Sequence, residues 1–507
     1  MSELLLGLDI GTTATKCVLV DPGRGVIAGE SRPVTLSTPQ AGWAEEDPAT
    51  WWRNACELIP AVLTAAGAGG GDVRGIGVAG MVPALICLDE AGRPLRPSIQ
   101  QNDARAAAEV AAQRHALAGA DVLHRTGSAI TQQSIGPKVA WLREHEPQVL
   151  WQTAAICGSY DFVVRRLTAG AAPVEANWAL ESGLYDFRAG EWAADICQAA
   201  QVDPGWLGPV APPATVLGTV ACAELPRLRG VPVVAGGADH VAGALAAGLV
   251  ADGDVVVELG GAGNILVRSA EPIVDDRLFL DYHLVPGAWV PNGCMAATGS
   301  LVRWFQREIG GGASLAGLDA EAALAGAGAG GLVLTPYFLG EKTPVNDPLA
   351  RGALVGLHLG HGRGHLFRAV LEGTAFGFAH NADVLRDLGA RLDRVNLTGG
   401  GSRSVLWRQI LADVLGLPVT YRDHDHGAAL GAAFAAGMGT GAFGSWDDVA
   451  GLTATAGRTE PDPATAGRYA ELYGVYRSLY PALLDQQHTL ARLSQPGGGR
   501  APGSPAG

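Results

Sequence analysis

The chain lacks the paired cysteines that mark disulfide frameworks and zinc sites. Its seven cysteines are scattered, their number is odd, and no two of them form a C-x-x-C pair. Several lie in apolar runs, as Cys17 and Cys87 do, which is typical of buried thiols. This pattern predicts reduced cysteines and a cytoplasmic protein.

Long apolar runs and an excess of positive charge are also missing. No run is long enough to span a membrane, and no basic stretch precedes the first apolar segment, which Asp9 interrupts. We therefore expect neither a membrane anchor nor a signal peptide. The net charge of −14 argues against nucleic acid and anionic membranes as partners. The 507 residues, 48% of them hydrophobic and 17% charged, predict a globular chain of about two to four domains.

The two common nucleotide-binding fingerprints are not found at the candidate glycine turns. The pattern G-x-x-x-x-G-K-[ST] does not occur. Two near matches to G-x-G-x-x-G fail at the third glycine, where Leu266 and Ser404 stand. Neither a P-loop nor a Rossmann domain is predicted, so any ATP site requires another scaffold.

Residues 4–20, LLLGLDIGTTATKCVLV, are the most informative segment of the chain. Two apolar runs flank a short polar turn, which predicts a β-hairpin. Small turn residues let phosphate oxygens approach the backbone, and Thr12, Thr13 and Lys16 supply hydroxyl and ammonium donors. Asp9 precedes the turn, where its carboxylate is suited to hold Mg²⁺ through water. The segment predicts ATP binding; an ordinary surface hairpin is the alternative.

The same pattern of strand, glycine turn and strand recurs near residue 260. Apolar runs at 254–259 and 264–267 flank the turn Gly260-Gly261-Ala262-Gly263. The recurrence predicts two similarly built halves that meet across a ligand cleft. Glycine-turn hairpins also occur without duplication, and that alternative stays open at this point.

Asp239 is the candidate catalytic base. It follows Gly236-Gly237-Ala238, which are expected to break a buried strand at 232–235 before a helix at 239–249. Small residues at this junction leave room for a substrate, whose hydroxyl proton the carboxylate can accept during phosphoryl transfer. The alternative is an ordinary helix N-cap.

Other polar segments are weaker candidates. Gly399-Gly400-Gly401 lies just before a predicted helix at 404–415, where glycines admit a ribose and the helix N-terminus favours phosphate. A flexible loop with a serine cap is the alternative. The segment 340–348 is expected to be a loop near the cleft, with a solvated connection as the alternative. The run His424-Asp425-His426 is interpreted as solvated.

The remaining pattern predicts alternating strands and helices. Strands are expected at 26–30, 75–79, 84–88, 332–335, 395–398 and 418–421. Helices are expected at 49–63, which begins with the cap Asp47-Pro48, and at 103–117, 364–388, 427–438 and 464–490.

In this order, these segments resemble the FGGY family of carbohydrate kinases, most closely its xylulokinase-like members. The resemblance covers residues 4–485, and the order and spacing of the motifs make it specific. The matching motifs are DIGTTATK at 9–16, GWAEEDPATWW at 42–52, NDAR at 102–105, GGADHVAGALAAG at 236–248, GEKTPVNDPLARG at 340–352, GGGSRSVLWRQILADVLGLPV at 399–419 and ALGAAFAAG at 429–437.

The resemblance implies an α/β fold of two actin-like (ribonuclease H-like) domains that flank a deep cleft. It implies a sugar-binding N-terminal domain at 1–247 and a nucleotide-binding C-terminal domain at 248–490. Residues 491–507 are rich in Gly, Pro and Ser and are expected to form a disordered tail.

The resemblance also assigns roles to individual residues. Asp239 matches the family's catalytic aspartate, and Asp9 matches the aspartate associated with Mg²⁺. The expected ATP contacts are Thr12, Thr13, Lys16, Gly260, Gly261, Gly299, Gly400, Gly401 and Ser404. The expected sugar contacts are Trp43, Met81, Gln101, Asn102, Asp103 and Asp239.

The chain departs from the family at several positions. The second phosphate turn reads Gly260-Gly261-Ala262, where the family usually has Gly-Thr-Ser. Met81 is followed by Val82 rather than His, and Gln101 replaces the usual Trp. The acidic residue that usually precedes the ALGAA segment is also absent. These changes keep the reaction class but leave the sugar open.

The sequence thus predicts a kinase that uses ATP and Mg²⁺ to phosphorylate a primary hydroxyl of a small sugar, with xylulose as the first candidate. One alternative is the same chemistry on ribulose, gluconate or erythritol. Another is a nucleotide-binding switch without sugar transfer, resembling actin or the heat-shock chaperone ATPases. A homodimer is allowed, although the sequence does not determine the oligomeric state.

Overall fold

The computed structural model describes residues 3–170, 172–422, 426–453 and 455–494. The chain divides into two compact units, each discontinuous in sequence. Unit 1 comprises Met1–Asp252, Arg268–Pro291 and His424–Ala454, and unit 2 comprises Gly253–Val267, Asn292–Asp423 and Thr455–Gly507. The chain first passes from unit 1 to unit 2 after Asp252, close to the predicted domain boundary at 247/248. Two later segments of the chain belong to unit 1 again.

The strands, in chain order, are β1 (Leu4–Ile10), β2 (Ala14–Asp21), β3 (Gly25–Pro33), β4 (Glu45–Glu46), β5 (Val73–Gly80), β6 (Ile86–Leu88), β7 (Ser98–Ile99), β8 (Ala155–Cys157), β9 (Val174–Glu175), β10 (Tyr185–Asp186), β11 (Glu191–Trp192), β12 (Val210–Ala211), β13 (Val216–Thr219), β14 (Pro232–Ala238), β15 (Asp254–Leu259), β16 (Gly263–Val267), β17 (Phe279–Tyr282), β18 (Trp289–Met295), β19 (Val333–Thr335), β20 (Ala353–Val355), β21 (Arg394–Thr398), β22 (Val419–Arg422) and β23 (Thr455–Thr459).

The α-helices are α1 (Pro48–Ala65), α2 (Ala107–Ala116), α3 (Val122–Thr126), α4 (Ile135–His145), α5 (Pro147–Gln152), α6 (Ser159–Thr168), α7 (Ala176–Glu181), α8 (Ala194–Ala199), α9 (Asp239–Ala246), α10 (Gly299–Glu308), α11 (Leu315–Leu324), α12 (Arg363–Asp387), α13 (Val405–Leu415), α14 (Gly427–Thr440) and α15 (Pro463–Leu493). Among the described helices, none combines the length and apolar character that a membrane crossing requires.

The main sheets of the two units share one strand order. The first sheet has the order β13-β14-β5-β1-β2-β3, and the second has the order β23-β22-β21-β15-β16-β18, with β17 added as a seventh strand beside β18. In each sheet the second, third and fourth of these six strands are parallel, and the other neighbours among the six are antiparallel. The predicted recurrence of the opening hairpin is therefore confirmed, and it extends to six strands of each sheet. Two actin-like α/β units account for this pattern; the cleft stays a prediction.

The core of unit 1 lies between its sheet and α14. β1 is buried along its whole length, and α14 packs closely against β1 and β5. A Cβ at Gly7 or Gly77 would lie 1.8 Å from the carbonyl oxygen of Ala429 or Ala432. Glycine at these positions lets the helix backbone rest directly on the strands.

Most predicted elements are present, with shifted ends. The predicted third strand is β3, and the cap Asp47-Pro48 is confirmed, since the Asp47 carboxylate accepts the Ala49 N–H at 3.0 Å. The expected helix at 103–117 begins later, at Ala107. The expected break of β14 at Gly236 is wrong, because the strand continues to Ala238 through a register shift.

The cysteines and the C-terminus complete this comparison. All seven cysteines are free, and burial raises the pKa of the Cys17 and Cys87 thiols above their usual range. The predicted disordered tail at 491–507 is wrong for its first residues, because the last helix continues to Leu493 and is capped by Ser494; residues 495–507 lie outside the described residues. His424 and Asp425 of the His-Asp-His run lie outside them as well.

Candidate active site

One edge of the unit 1 sheet brings the two candidate aspartates together. β1 and β14 both run parallel to β5, so their carboxyl ends lie at the same edge. Asp9 is in register with Ala79, and Ala238 is in register with Gly80. Asp9 and Asp239 therefore flank the end of β5, about 10 Å apart if two strand spacings separate them.

Asp239 is the first residue of α9. The N-cap position is taken by Ala238, which makes no side-chain cap bond, so the N-cap alternative for Asp239 is wrong. Its carboxylate accepts the adjacent His240 N–H at 2.7 Å and is 35% exposed. The first turn of a helix favours negative charge. Asp239 is thus an accessible carboxylate at a strand-to-helix junction, as a general base requires.

His240 joins Asp239 to two further acids that the sequence analysis missed. The His240 Nε2 lies 2.9 Å from the Asp281 Oδ2 on β17 and 4.0 Å from the Glu181 Oε1 on α7. Its Nδ1 lies 3.4 Å from the Asp239 Oδ1. The signal in the sequence was the histidine directly after the candidate base, but its partners lie far away in the chain.

The charges in this cluster oppose one another. Burial lowers the pKa of His240, but the carboxylates of Asp281, Asp239 and Glu181 outweigh it and hold that pKa well above its usual range. Burial raises the pKa of Glu181 well above its ordinary value, and the nearby Asp281 charge adds to the rise. The surrounding carboxyl groups therefore favour the charged form of His240, while burial disfavours the charged form of Glu181.

The opening hairpin places its polar groups as predicted. The Asp9 carboxylate is 6% exposed and its Oδ2 lies 3.3 Å from the Lys16 Nζ, whose side chain is half exposed. The Thr13 carbonyl accepts the Val34 N–H, while the Thr12 and Thr13 side chains are partly or fully open to solvent. The turn therefore presents two hydroxyls and an ammonium group at the sheet edge.

The surroundings of Asp9 fit a hydrated divalent cation. A Cβ at Gly11 would lie 3.7 and 3.8 Å from the two Asp9 carboxylate oxygens, so the glycine leaves space beside them. A single carboxylate with open space is a typical Mg²⁺ donor set, because Mg²⁺ keeps several of its water ligands.

The residues expected to contact sugar form a second cluster in unit 1. The Asp103 carboxylate is buried, accepts the Ala44 N–H at 2.6 Å and forms two 2.8 Å hydrogen bonds with Arg105. The Arg105 guanidinium lies 3.8 Å from the ring centre of Trp43. Asp103 therefore fixes the position of Trp43 through Arg105.

The other expected sugar contacts differ in exposure. Met81 is buried directly after β5, and its N–H donates to the Ile10 carbonyl at the edge that carries Asp9. Gln101 is half-buried and Asn102 is exposed. Their contacts with substrate stay predictions.

Lys138 is a further buried group near this cluster. Its ammonium group donates to the Gln133 carbonyl at 3.0 Å. Burial lowers the pKa of Lys138 to about 7, while the charge of Asp103 opposes the change. Sequence patterns gave no signal for this residue, because a lysine on a short helix is usually solvated.

In unit 2 the structure brings the predicted glycines together. The Gly299 N–H donates to the Gly260 carbonyl at 2.8 Å, and the Ser300 N–H and hydroxyl both donate to the Gly261 carbonyl. A Cβ at Gly299 would lie 2.4 Å from the Gly260 oxygen. The turn after β15 therefore rests on the N-terminus of α10, where phosphate is favoured.

The second glycine segment follows the neighbouring strand. β21 pairs with β15 up to Glu258 and Thr398, so the two glycine turns leave adjacent strand ends. The Ser404 hydroxyl accepts the Trp407 N–H at 3.0 Å and caps α13. A Cβ at Gly401 would lie 2.6 Å from the Trp407 ring. The serine cap is therefore confirmed, while Gly400–Arg403 forms a short 3-10 turn. An adenosine contact by Gly400, Gly401 or Ser404 stays a prediction.

Comparison with known proteins agrees with this geometry. Residues 4–246 match the FGGY family of carbohydrate kinases, N-terminal domain, and residues 257–440 match the C-terminal domain of that family. A crystal structure of xylulose kinase from Rhodospirillum rubrum is 46% identical, with a TM-score of 0.90, and covers 96% of this chain and 100% of that one.

Two curated relatives extend the comparison. Xylulose kinase from Escherichia coli is 31% identical over 85% of this chain and 89% of its own length. Gluconokinase from Bacillus subtilis is 26% identical over 96% of this chain and 98% of its own length. This chain has the strand order, the glycine turns and Asp239 at the start of α9 that are described above. It belongs to the FGGY family of carbohydrate kinases.

Proposed function

We propose that this protein transfers the γ-phosphate of ATP to a primary hydroxyl of a small sugar, with xylulose as the first candidate. The observation that carries the proposal is the accessible Asp239 carboxylate at the sheet edge that also holds Asp9. A base and a polyphosphate-binding turn at one edge are what phosphoryl transfer to an alcohol requires.

In the proposed reaction, Asp239 accepts the proton of the sugar hydroxyl as its oxygen attacks the γ-phosphorus. Thr12, Thr13 and Lys16 contact the phosphate oxygens from the hairpin turn, and their donors favour the developing negative charge. Mg²⁺ beside Asp9, when bound, would neutralise phosphate charge. The adenosine contacts are assigned to Gly299, Gly400, Gly401 and Ser404 of unit 2.

The names of the relatives support xylulose as the first substrate to test. The Rhodospirillum rubrum and Escherichia coli proteins are both xylulose kinases. The gluconokinase relative keeps sugar acids among the alternatives. The departures at Val82 and Gln101 fall near the expected sugar contacts, so a screen must include ketoses, sugar acids and polyols.

A nucleotide switch without sugar transfer is the competing function, since it shares the actin-like scaffold. The two functions differ in whether ADP formation depends on sugar. We expect the purified protein, with ATP and Mg²⁺, to form ADP many times faster with at least one sugar than without it. Equal rates with and without every sugar would contradict the kinase function. Location in the cytoplasm and a homodimeric state stay predictions from the sequence.

The role of Asp239 is tested by Asp239→Asn, which keeps the size of the side chain but removes the base. Turnover should fall by about 10²–10⁴-fold, with ATP affinity largely unchanged. Asp485→Asn, at an exposed position of α15, is the matched control and should leave both values unchanged. Wild-type turnover in Asp239→Asn would overturn the assignment.

A further inference from the structure

We propose that His240 is a positioning residue for Asp239: a histidinium, held by Asp281 and Glu181, whose charge fixes and stabilises the catalytic carboxylate. The inference rests on the proposed function, because it concerns the residue that takes the substrate proton. It predicts that turnover requires His240 in its protonated form.

The hydrogen-bond geometry of the ring calls for two donors. The Nδ1 faces the Asp239 Oδ1 at 3.4 Å, and the Nε2 faces the Asp281 Oδ2 at 2.9 Å. A neutral imidazole donates from only one of its nitrogens, whereas a histidinium donates from both. Because each nitrogen faces a carboxylate oxygen, the charged form satisfies this arrangement and the neutral form does not.

Burial makes the pairing costly to break. The His240 side chain is 20% exposed, Glu181 is 12% exposed and Asp281 is 1% exposed. A carboxylate this deeply buried requires a nearby cation or strong hydrogen bonds. His240 supplies the positive charge for Asp281 on one side and for Asp239 on the other.

Three carboxyl groups face His240 from the elements packed around it. Asp239 lies on the same helix, Glu181 lies at the end of α7, and Asp281 lies on β17. Beyond them, the charge of Lys138 acts on the same region, since Glu181 opposes the fall of the Lys138 pKa. The raised pKa of His240 agrees with this surplus of negative groups.

The consequence for catalysis is a dependence of turnover on pH at the alkaline end. At high pH His240 loses its proton, and turnover should fall. If Asp281 is replaced, the His240 pKa should drop, because Asp281 is one of the carboxylates that raise it, and the loss of turnover should begin at lower pH than in wild type.

The test compares the pH dependence of kcat and of the sugar KM in three variants. His240→Asn should lower kcat about tenfold or more, with sugar KM changed less than about threefold, and should lose the alkaline limb. His240→Gln keeps an amide donor without charge and should not restore kcat. Asp281→Asn should stay active at pH 6 and lose activity by pH 8. His115→Asn, at an exposed position of α2, is the control and should behave as wild type.

A second measurement does not depend on activity. The His240 ring signals, identified in NMR spectra by their loss in His240→Asn, should titrate well above the usual histidine range in wild type and at clearly lower pH in Asp281→Asn. A neutral His240 at pH 7, or identical alkaline limbs in wild type and Asp281→Asn, would overturn the proposal.

A metal analysis of the purified protein tests whether the same three side chains bind a metal ion instead. Glu181, His240 and Asp281 place ligand atoms within 4.8 Å of one another. One tightly bound transition-metal ion per chain, lost in His240→Asn, would also overturn the proposal. Absence of sugar-dependent ADP formation in wild type would instead refute the proposed function, and the NMR result would still decide the charge of His240.

Discussion

The Lys16 ammonium group lies 3.3 Å from the Asp9 carboxylate, directly across the first hairpin. Register sets this contact, because Asp9 and Lys16 are paired residues of two antiparallel strands. Facing partners on one side of a sheet bring their side chains within reach. The pair thus holds a cation and an anion next to the turn that we propose binds phosphate.

Lys16→Met should weaken ATP binding. Removing a charged hydrogen-bond donor to phosphate costs about 1.5–3 kcal/mol, so the ATP KM should rise about tenfold or more, with the sugar KM unchanged. Lys16→Arg keeps the charge and should recover part of the loss. Arg24→Met, on the exposed turn after β2, should leave the ATP KM at its wild-type value. Equal ATP KM values in Lys16→Met and wild type would contradict the phosphate role.

Gly77→Ala should destabilise unit 1. The added Cβ would lie 1.8 Å from the Ala432 carbonyl oxygen, which belongs to helix backbone and yields only if α14 moves. Overpacking of this kind costs about 1–3 kcal/mol, and thermal unfolding should shift down by several degrees. Gly474→Ala, which meets nothing within 4 Å in α15, is the control. It should leave the unfolding temperature unchanged or raise it slightly, as alanine favours helix.

Gly299→Ala should impair nucleotide binding more than stability. Its Cβ would lie 2.4 Å from the Gly260 carbonyl and push the second glycine turn away from the N-terminus of α10. The ATP KM should rise about five- to one-hundredfold. Gly317→Ala on α11 meets its nearest atom at 3.4 Å and serves as the control. An unchanged ATP KM in Gly299→Ala, with the protein folded, would remove this turn from the nucleotide site.

Lys138 makes stability depend on pH. Burial lowers its pKa in the folded protein from 10.5 to about 7, so between these values the unfolded chain binds the additional proton. The free energy of unfolding therefore rises with pH across this window, by up to about 1.4 kcal/mol per pH unit from this group. Below about pH 7 both states are protonated and the lysine contributes no further pH dependence.

The measurement is the free energy of unfolding of wild type and Lys138→Met from pH 7 to pH 9.5. Wild type should gain stability relative to the variant as the pH rises. Arg143→Met, at an exposed position of the same helix, keeps Lys138 and should follow the wild-type slope. A constant difference between wild type and Lys138→Met across this range would show that Lys138 keeps its proton in the fold.

Local sequence signals located several element ends closely. Asp47-Pro48 and Asp462-Pro463 begin α1 and α15, and in both helices the aspartate accepts a backbone N–H at the first turn. A capping carboxylate and a proline fix the first turn without help from distant residues. The hairpins at 4–20 and 254–267 were equally visible, because alternating apolar runs around small turn residues specify both strands and turn.

Other features could not be read from local pattern. Gly236 and Gly237 predicted a break, but pairing with β5 keeps β14 continuous to Ala238. Neighbouring strands supply the hydrogen bonds that stabilise extended backbone, so a glycine pair in a central strand produces a register shift instead of an end.

The sequence by itself determined the order of strands and turns, the family and the position of the candidate base, because each depends on residues close together in the chain. Tertiary structure decided which partners the charged groups meet. His240 contacts Asp281, 41 residues later in the chain, and Arg105 lies against the ring of Trp43. Their distances, burial and protonation depend on how separate elements pack, since electrostatic interactions depend on separation in space and on the exclusion of water.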